Sequence, residues 1–287
     1  MPDYAKPRPV FSLGPNRGGG RWLVFTDLDG TLLDHYDYGY AAAKPVMERL
    51  EAWGIPVHLA SSKTFAEGIA YYREWGVRRP MIVENGAAVA VPAEECSADW
   101  GPEAADGYRV RPMGPDYASL RAALTELRAR DGLDVQGFGD WTAADVARHT
   151  GLDEDAAERA RQRAGTEPVI WSDSDAALER FGADLQARGL RIVRGGRFHH
   201  IMGQTDKASG VNAVVALYAR QWDEPIRTLC LGDSENDRAM LESANCTIVV
   251  RRTDGVHLAV NRDGDTCFTE SPSPRGWAEG VEIWLDS

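Results

Sequence analysis

Two hydrophobic periods alternate along the chain. The run RWLVFTD, residues 21 to 27, is short, apolar and rich in β-formers, which predicts a buried strand. The following segment AAAKPVMERLEAW sets Ala43, Val46, Met47 and Leu50 at helical spacing, and Gly54 ends it. IPVHLASS predicts a second strand, and TFAEGIAYYREWG a second helix with Thr64 as its N-cap. PMIVENGAAVAV reads as a strand, a turn at Asn85-Gly86 and a further strand. Strands alternating with helices at this spacing imply parallel βαβ units. From about residue 92 to 200 the pattern changes: charge rises, and helices are predicted over about 116–130, 142–149, 153–163 and 174–187, with short strands between them. The buried β pattern returns at FHHIMG. It is followed by a helix over about 207–221, the strand RTLCLGD, a helix over about 235–243 and the strand CTIVV. The expected fold is α/β: a Rossmann-like parallel-sheet core of residues 21–91 and 201–287, interrupted by an inserted α+β domain of residues 92–200. Residues 1–20, polar and carrying four Pro and four Gly, read as a flexible tail rather than a secretory signal.

Composition narrows the class. A chain of 287 residues with 43% hydrophobic content can build a sizeable core. No apolar run approaches the roughly 18 residues of a membrane span. A formal net charge of −12 argues against a nucleic-acid partner, whose phosphates require basic surface. It leaves room for a small anionic substrate, because a metal or a local cationic cluster reverses the sign. Cys96, Cys230, Cys246 and Cys267 lie far apart without metal-ligand spacing and fit reduced thiols in a cytoplasmic protein. Of 32 basic residues only Lys6, Lys44, Lys63 and Lys207 are lysines. Against that arginine bias, a lysine marks a place where a compact point charge is needed.

In open parallel sheets ligands bind at the carboxyl ends of strands. Four polar clusters fall at such ends: DLDGT after the first strand, SSK after the second, TDK at the start of the 207 helix, and GDSEND after the 227 strand. Converging acids at a strand end suit a hard divalent cation such as Mg²⁺, which takes oxygen ligands and commonly a substrate phosphate. Lys207 is electrostatically misplaced in the first turn of a helix, where anions are preferred. Lys63 reads equally well as a substrate contact or a rim residue. His58 and His149 read as structural. His199 and His200 are adjacent on one strand, so only one of them can face a site.

These clusters, in this order and spacing, resemble the four motifs of the haloacid dehalogenase superfamily of phosphatases with an α/β cap between the second and third motifs. TDLDGTLLDHYDYGYAAAKP, SSKTFAE, IVENGAAV, HTGLDEDAAERARQRAGTEP and GGRFHHIMG are further similar to the mannosyl-3-phosphoglycerate phosphatase family, whose members also take the glucosyl analogue. The likeness runs from about residue 22 to 255. It implies a Mg²⁺-dependent phosphatase that releases phosphate from mannosyl- or glucosyl-3-phosphoglycerate and leaves a compatible solute. Asp27 is then the nucleophile and Asp29 the general acid and base. Asp27, the backbone carbonyl of Asp29, and Asp233 hold Mg²⁺, with Asp237 as a further ligand or support. Ser61 and the backbone at Gly30 bind the phosphoryl oxygens, Lys207 neutralises charge, and Asn236 positions the metal or phosphate. The resemblance extends substrate binding to Lys63, Asn85 and Gly86. In the cap it points to Arg163 and Arg197 for the carboxylate, Glu167 and Gln162 for hexose hydroxyls, and His199.

Rival readings share the first motif: a broad-specificity sugar phosphatase, a phosphomannomutase-like phosphotransferase, or a silent regulator that only binds a sugar phosphate. The intact acids and Lys207 speak against the last. The expected partner is a small phosphorylated glycoside, with neither nucleic acid nor membrane, acting on a cytoplasmic monomer or homodimer.

Overall fold

The computed structural model describes residues 11–12, 14–15, 19–97, 100–194 and 198–287. Most of the stretch read as a tail therefore lies outside the described residues. Of its described part, Phe11 is buried and Ser12 Oγ donates to the Asp265 carboxylate at 2.9 Å. Packing divides the chain into two compact units, Met1–Leu59 with Val215–Ser287, and Ala60–Val214.

The first unit is a parallel sheet. β1 (Arg21–Thr26) is buried from its second residue onward. It lies between β10 (Ile226–Gly232) and β2 (Val57–Leu59), with Val24 opposite Leu229 on one side and Val57 on the other. The sheet continues through β11 (Cys246–Arg251) to β12 (Asp265–Pro272), and all four pairings are parallel. Strands covered on both faces read as continuous apolar runs, which is why the first strand and the 227 and 246 strands are legible. Helix α1 (Lys44–Ala52) packs on β2 and α8 (Arg238–Ser243) on β10 and β11. The helix read over 235–243 begins as a turn of 3₁₀ helix at Glu235–Asp237 and becomes α only at Arg238.

β12 and the terminal helix α9 (Arg275–Leu285) lie beyond the last strand read from sequence. α9 buries Trp277, Val281, Trp284 and Leu285 against β11 and β12. Trp284 also meets Trp22 edge-on, with ring centroids 4.9 Å apart. Its approach is close enough to demand glycine. A methyl group at Gly280 meets Ile248 Cγ2 at 2.5 Å, and one at Gly276 meets the Ser271 carbonyl at 2.1 Å.

The second unit holds two antiparallel sheets. β3 (Met81–Val83), β4 (Ala88–Pro92) and β5 (Tyr108–Pro112) form one. An isolated parallel bridge within this unit joins Ala60 to Ile82 of β3. The sequence pattern bounds the inserted segment at 92 and 200; by packing, the second unit runs from Ala60 to Val214, and β4 within it pairs along its whole length with β5. The other sheet runs β6 (Val135–Gly137), β7 (Thr166–Trp171), β9 (His199–Gly203), β8 (Leu190–Arg194). One face is covered by α3 (Tyr117–Asp131) and α6 (Asp175–Gln186), whose Leu120, Leu124, Leu127, Phe181 and Leu185 pack with Val169 and Ile201. A smaller cluster joins Phe138 and Trp141 to α4 (Ala143–Thr150) and α5 (Glu154–Arg161). In α2 (Phe65–Trp75), Thr64 caps the N-terminus as expected, with Glu67 closing a capping box. α7 runs from Lys207 to Tyr218. Among the described residues no helix is long and apolar enough to cross a membrane.

The α9 contact yields a direct test. Gly280→Ala should lower stability by about 1–3 kcal/mol, as overpacking a filled interior does. A denaturant midpoint unchanged from wild type would show that α9 can shift without cost.

Candidate active site

The first unit concentrates acids at one sheet end. β1 and β10 are adjacent and in register, with Thr26 opposite Leu231. The residues that follow them, Asp27 and Asp233, therefore emerge side by side. Asp27 N–H donates to the Leu231 carbonyl at 3.0 Å, which fixes the backbone at the turn out of the sheet. Thr26 Oγ1 donates to the Asp27 carbonyl at 2.7 Å and accepts from Trp277 Nε1 at 2.9 Å. Asp237 arrives from the 3₁₀ turn, where its Oδ2 accepts from the backbone N–H of Asp233 and of Ser234, each at 3.0 Å. Thr31 Oγ1 donates to Asp233 Oδ1 at 2.8 Å. Gly30, at φ +79°, lies where a Cβ would come 3.1 Å from Asp233 Oδ2. Leu28 is buried and its carbonyl accepts from Thr31, Leu32 and Leu33, so Asp29 stands at the start of a tight turn and is half-buried. Asn236 Oδ1 accepts from Ser234 Oγ at 2.6 Å.

Asp27, Asp233 and Asp237 are all buried, and each offers a carboxylate oxygen within 4.8 Å of the others. Like charges so placed repel one another, and a bound cation would offset that repulsion. The donors are all oxygen, with no thiolate or imidazole in the group, so the set fits a hard divalent cation.

The second unit holds the remaining core-motif residues. Ser61 is buried, its N–H donating to the Ile82 carbonyl at 3.0 Å. Ser61 Oγ accepts from Lys63 N–H at 3.2 Å. The turn Glu84-Asn85-Gly86 follows β3 with φ of +52°, +56° and +86° in succession. Glu84 N–H donates to the Lys63 carbonyl and Asn85 N–H to the Ser61 carbonyl, both at 2.9 Å. Gly86 faces the start of α7: a methyl group there would sit 1.9 Å from the Asp206 carbonyl oxygen and 2.9 Å from Lys207 N. Lys207 is fully buried.

The predicted cap residues divide. Arg197, with Gly195 and Gly196, lies outside the described residues. Gln162 is exposed just after α5. Arg163 turns inward, with a side chain 4% exposed. Its guanidinium donates to Thr166 Oγ1, to the Thr166 carbonyl at 3.0 Å, to the Ala160 carbonyl at 3.3 Å and to the Ser62 carbonyl at 3.2 Å. Glu167 is buried on the helix-covered face of its sheet. Its Oε2 accepts from Tyr117 Oη at 2.6 Å, and its Oε1 from Arg121 at 2.6 Å and Gly139 N–H at 3.0 Å. Burial pushes the Glu167 carboxyl up, against the pull of Tyr117, Gly139 and Arg121. Strand alternation sets His199 with the core residue Ile201, and His200 on the opposite face. Burial and then Arg163 hold His200 down to about 3, so its imidazole is neutral at pH 7. Two residues not singled out in the sequence take large parts here: Glu84 and Thr166. The available signal was an acid at a strand end immediately before Asn-Gly.

A parallel α/β sheet with buried carboxylates at the ends of adjacent strands fits the haloacid dehalogenase-like hydrolase class. The sequence profile of that class matches residues 24–99. Two glucosyl-3-phosphoglycerate/mannosyl-3-phosphoglycerate phosphatases, from Methanococcoides burtonii and Persephonella marina, are each 35% identical over 260 residues, 90% of this chain and 95% of the relative. The chain belongs to this glucosyl-3-phosphoglycerate/mannosyl-3-phosphoglycerate phosphatase family. Solved structures agree in fold. A Bacteroides thetaiotaomicron phosphatase of the haloalkanoate enzyme superfamily aligns with a TM-score of 0.65 at 17% identity, covering 95% of this chain and 98% of the other. A Thermoplasma acidophilum protein aligns at 0.62 and 19% identity, covering 92% and 99%.

The ion network under the cap sheet carries a pH signature. Asp140 accepts from Arg121, from Arg128 at 2.9 Å and from Gly137 N–H at 2.9 Å. Burial opposes its ionisation, but the two arginines and the N–H outweigh it and hold the carboxyl at about 2, against an ordinary 3.8. A depressed folded-state value means stability that is present above 3.8 and lost as pH falls toward about 2. Asp140→Asn should therefore flatten the loss of thermal midpoint across that interval. Parallel acid profiles for wild type and variant would remove Asp140 as a contributor.

Proposed function

We propose that the protein hydrolyses glucosyl-3-phosphoglycerate, mannosyl-3-phosphoglycerate or both, in the cytoplasm, to the glycosylglycerate and inorganic phosphate. The observation that carries the mechanism is the buried convergence of Asp27, Asp233 and Asp237. In this reading an Asp27 oxygen attacks phosphorus, a P–O(Asp27) bond forms and the ester P–O bond breaks. Asp29 donates its proton to the leaving glycerate oxygen. Asp29, now a carboxylate, takes a proton from water as the water oxygen attacks phosphorus, and the P–O(Asp27) bond breaks to release phosphate. Asp27, the carbonyl of Asp29, Asp233 and Asp237 would hold Mg²⁺, which supplies positive charge to the phosphoryl oxygens when bound. Ser61 and the backbone at Gly30 donate hydrogen bonds to those oxygens, Lys207 neutralises charge, and Asn236 supports the metal-side loop. Phosphoryl transfer needs mainly positioning and electrostatic stabilisation, so this set suffices.

We assign substrate selection to the cap, residues 92–200, with Lys63, Asn85 and Gly86 at its edge. The core chemistry accepts any phosphomonoester, so discrimination falls to groups that recognise the carboxylate and hexose. Arg197 is the arginine we assign to the carboxylate, which the planar guanidinium fork suits, with Gln162 toward the hexose; His199 shares the helix-covered face with Val169 and Ile201 and is not assigned to the substrate. The engaged guanidinium of Arg163 and the engaged carboxylate of Glu167 make these two supports for that surface.

Asp27→Asn removes the attacking charge at constant volume. It should leave the fold intact and reduce phosphate release to background, and chelation of wild type should do the same until Mg²⁺ is restored. Substantial turnover by the Asn variant would exclude the covalent route. A substrate panel tests the identity: hexose 6-phosphates hydrolysed faster than both glycosyl-3-phosphoglycerates would leave only a general sugar phosphatase.

A further inference from the structure

Glu84 is 1% exposed and sits in a left-handed backbone conformation that non-glycine residues rarely adopt. Its carboxylate meets a concentrated set of donors. Oε1 accepts from Ala164 N–H at 2.6 Å; Oε2 accepts from Gly165 N–H at 3.0 Å, Thr166 N–H at 2.8 Å and Thr166 Oγ1 at 2.8 Å. Arg163 Nε lies 3.5 Å from Oε2. Three consecutive backbone N–H groups converging on one anion make a nest, and a buried carboxylate so satisfied is a firm anchor. The same guanidinium reaches on to the Ser62 carbonyl at 3.2 Å.

The other end of this anchor reaches the phosphate-handling residues. Glu84 N–H and Asn85 N–H hold the carbonyls of Lys63 and Ser61, so the backbone that carries Ser61 is tied to the turn. Gly86 abuts the Asp206 carbonyl and Lys207 N, so the turn also sets where α7 begins and where Lys207 departs from the backbone. Charge satisfaction at the carboxylate thus fixes a strained turn, and that turn fixes two groups of the phosphate site from either side.

We propose that Glu84 is a positioning residue for the phosphatase reaction: by occupying the 164–166 nest beside Arg163, it locks the 84–86 turn and thereby the placement of Ser61 and Lys207. This rests on the roles assigned above to Ser61 and Lys207 in phosphoryl binding, but not on the identity of the glycosyl group. It distinguishes Glu84 from a substrate contact. A misplaced phosphate-binding pair weakens the transition state of every phosphate ester alike, and displacements near 1 Å cost on the order of 10²-fold.

The test is Glu84→Gln, which keeps volume but replaces one acceptor oxygen by a donor NH₂ facing the nest. It is assayed well below its melting temperature, on glycosyl-3-phosphoglycerate and on a small aryl phosphate. We expect kcat/KM to fall by about tenfold to a hundredfold, by the same factor on both esters, with inhibition by inorganic phosphate weakened in parallel. Arg163→Met added to Glu84→Gln should cost little more than Glu84→Gln alone, because the two act as one unit. The aryl ester has neither hexose nor carboxylate, so its arm reads the anchor even where the substrate assignment fails. Should Glu84→Gln not fold, Thr166→Val removes one of the four bonds at constant shape and should lower both activities severalfold, again equally. Unchanged kcat/KM in a folded variant with only a lowered melting temperature would make Glu84 merely structural. A loss confined to the glycosyl ester would place it in substrate recognition; either result overturns the proposal.

Discussion

Three carboxylates buried within 4.8 Å of one another set the terms for the first unit. Such a group is tolerable only if its surroundings supply positive potential, and the fold provides part of this without any side-chain cation. Backbone N–H groups of Asp233 and Ser234 point at Asp237, and the Thr31 hydroxyl points at Asp233. These donors orient the acids before any ligand arrives. Parallel pairing of β1 with β10 delivers Asp27 and Asp233 to neighbouring points. Much of the unit follows from keeping those two strand ends in register: the glycine-thin seat of α9 and the Trp277 hydrogen bond to Thr26 brace the strand from the side.

The second unit solves the same problem in the opposite way. There the buried acids Glu84 and Glu167 are satisfied by the protein itself, one by a backbone nest and Arg163, the other by Tyr117, Arg121 and Gly139. Both carboxylates lie at the N-terminal end of β7 or bind to it, yet on different partners. The result is a sheet whose entry residue, Thr166, and second residue, Glu167, are each pinned. Buried polar groups with complete partners specify one arrangement, since any alternative leaves a charge unpaired.

Legibility in the sequence followed burial. Strands covered on both faces, and helices with a clear stripe and cap such as α2, announce themselves through composition. β12 alternates buried Cys267 and Thr269 with exposed Phe268 and Glu270, and a threonine facing inward beside a phenylalanine facing outward inverts the usual signal. α9 carries two glycines that lower helix propensity but are required by contact with Ile248 and Ser271, a tertiary demand that no local window contains. At the site, the acids and Lys207 stood out because their residue types conflict with their surroundings. Arg163 and Glu167 entered through the family resemblance alone, and a motif does not tell whether a charged side chain turns toward a ligand or toward its own fold. That is decided by partners such as Tyr117 and Arg121, some 40 to 50 positions away.

The Glu84 nest also bears on the order in which the chain assembles. Its bonds join positions 80 to 82 residues apart. Closing so long a loop is entropically costly, and the three N–H groups converge only once β7 has its final geometry. A contact of this kind is expected to form after the rate-limiting step of folding and to break early in unfolding. Its contribution then governs how long the native state survives rather than how fast it is reached. For a protein with this anchor, persistence and chemistry share a single carboxylate: a chain that loosened Glu84 would also shorten its own native lifetime.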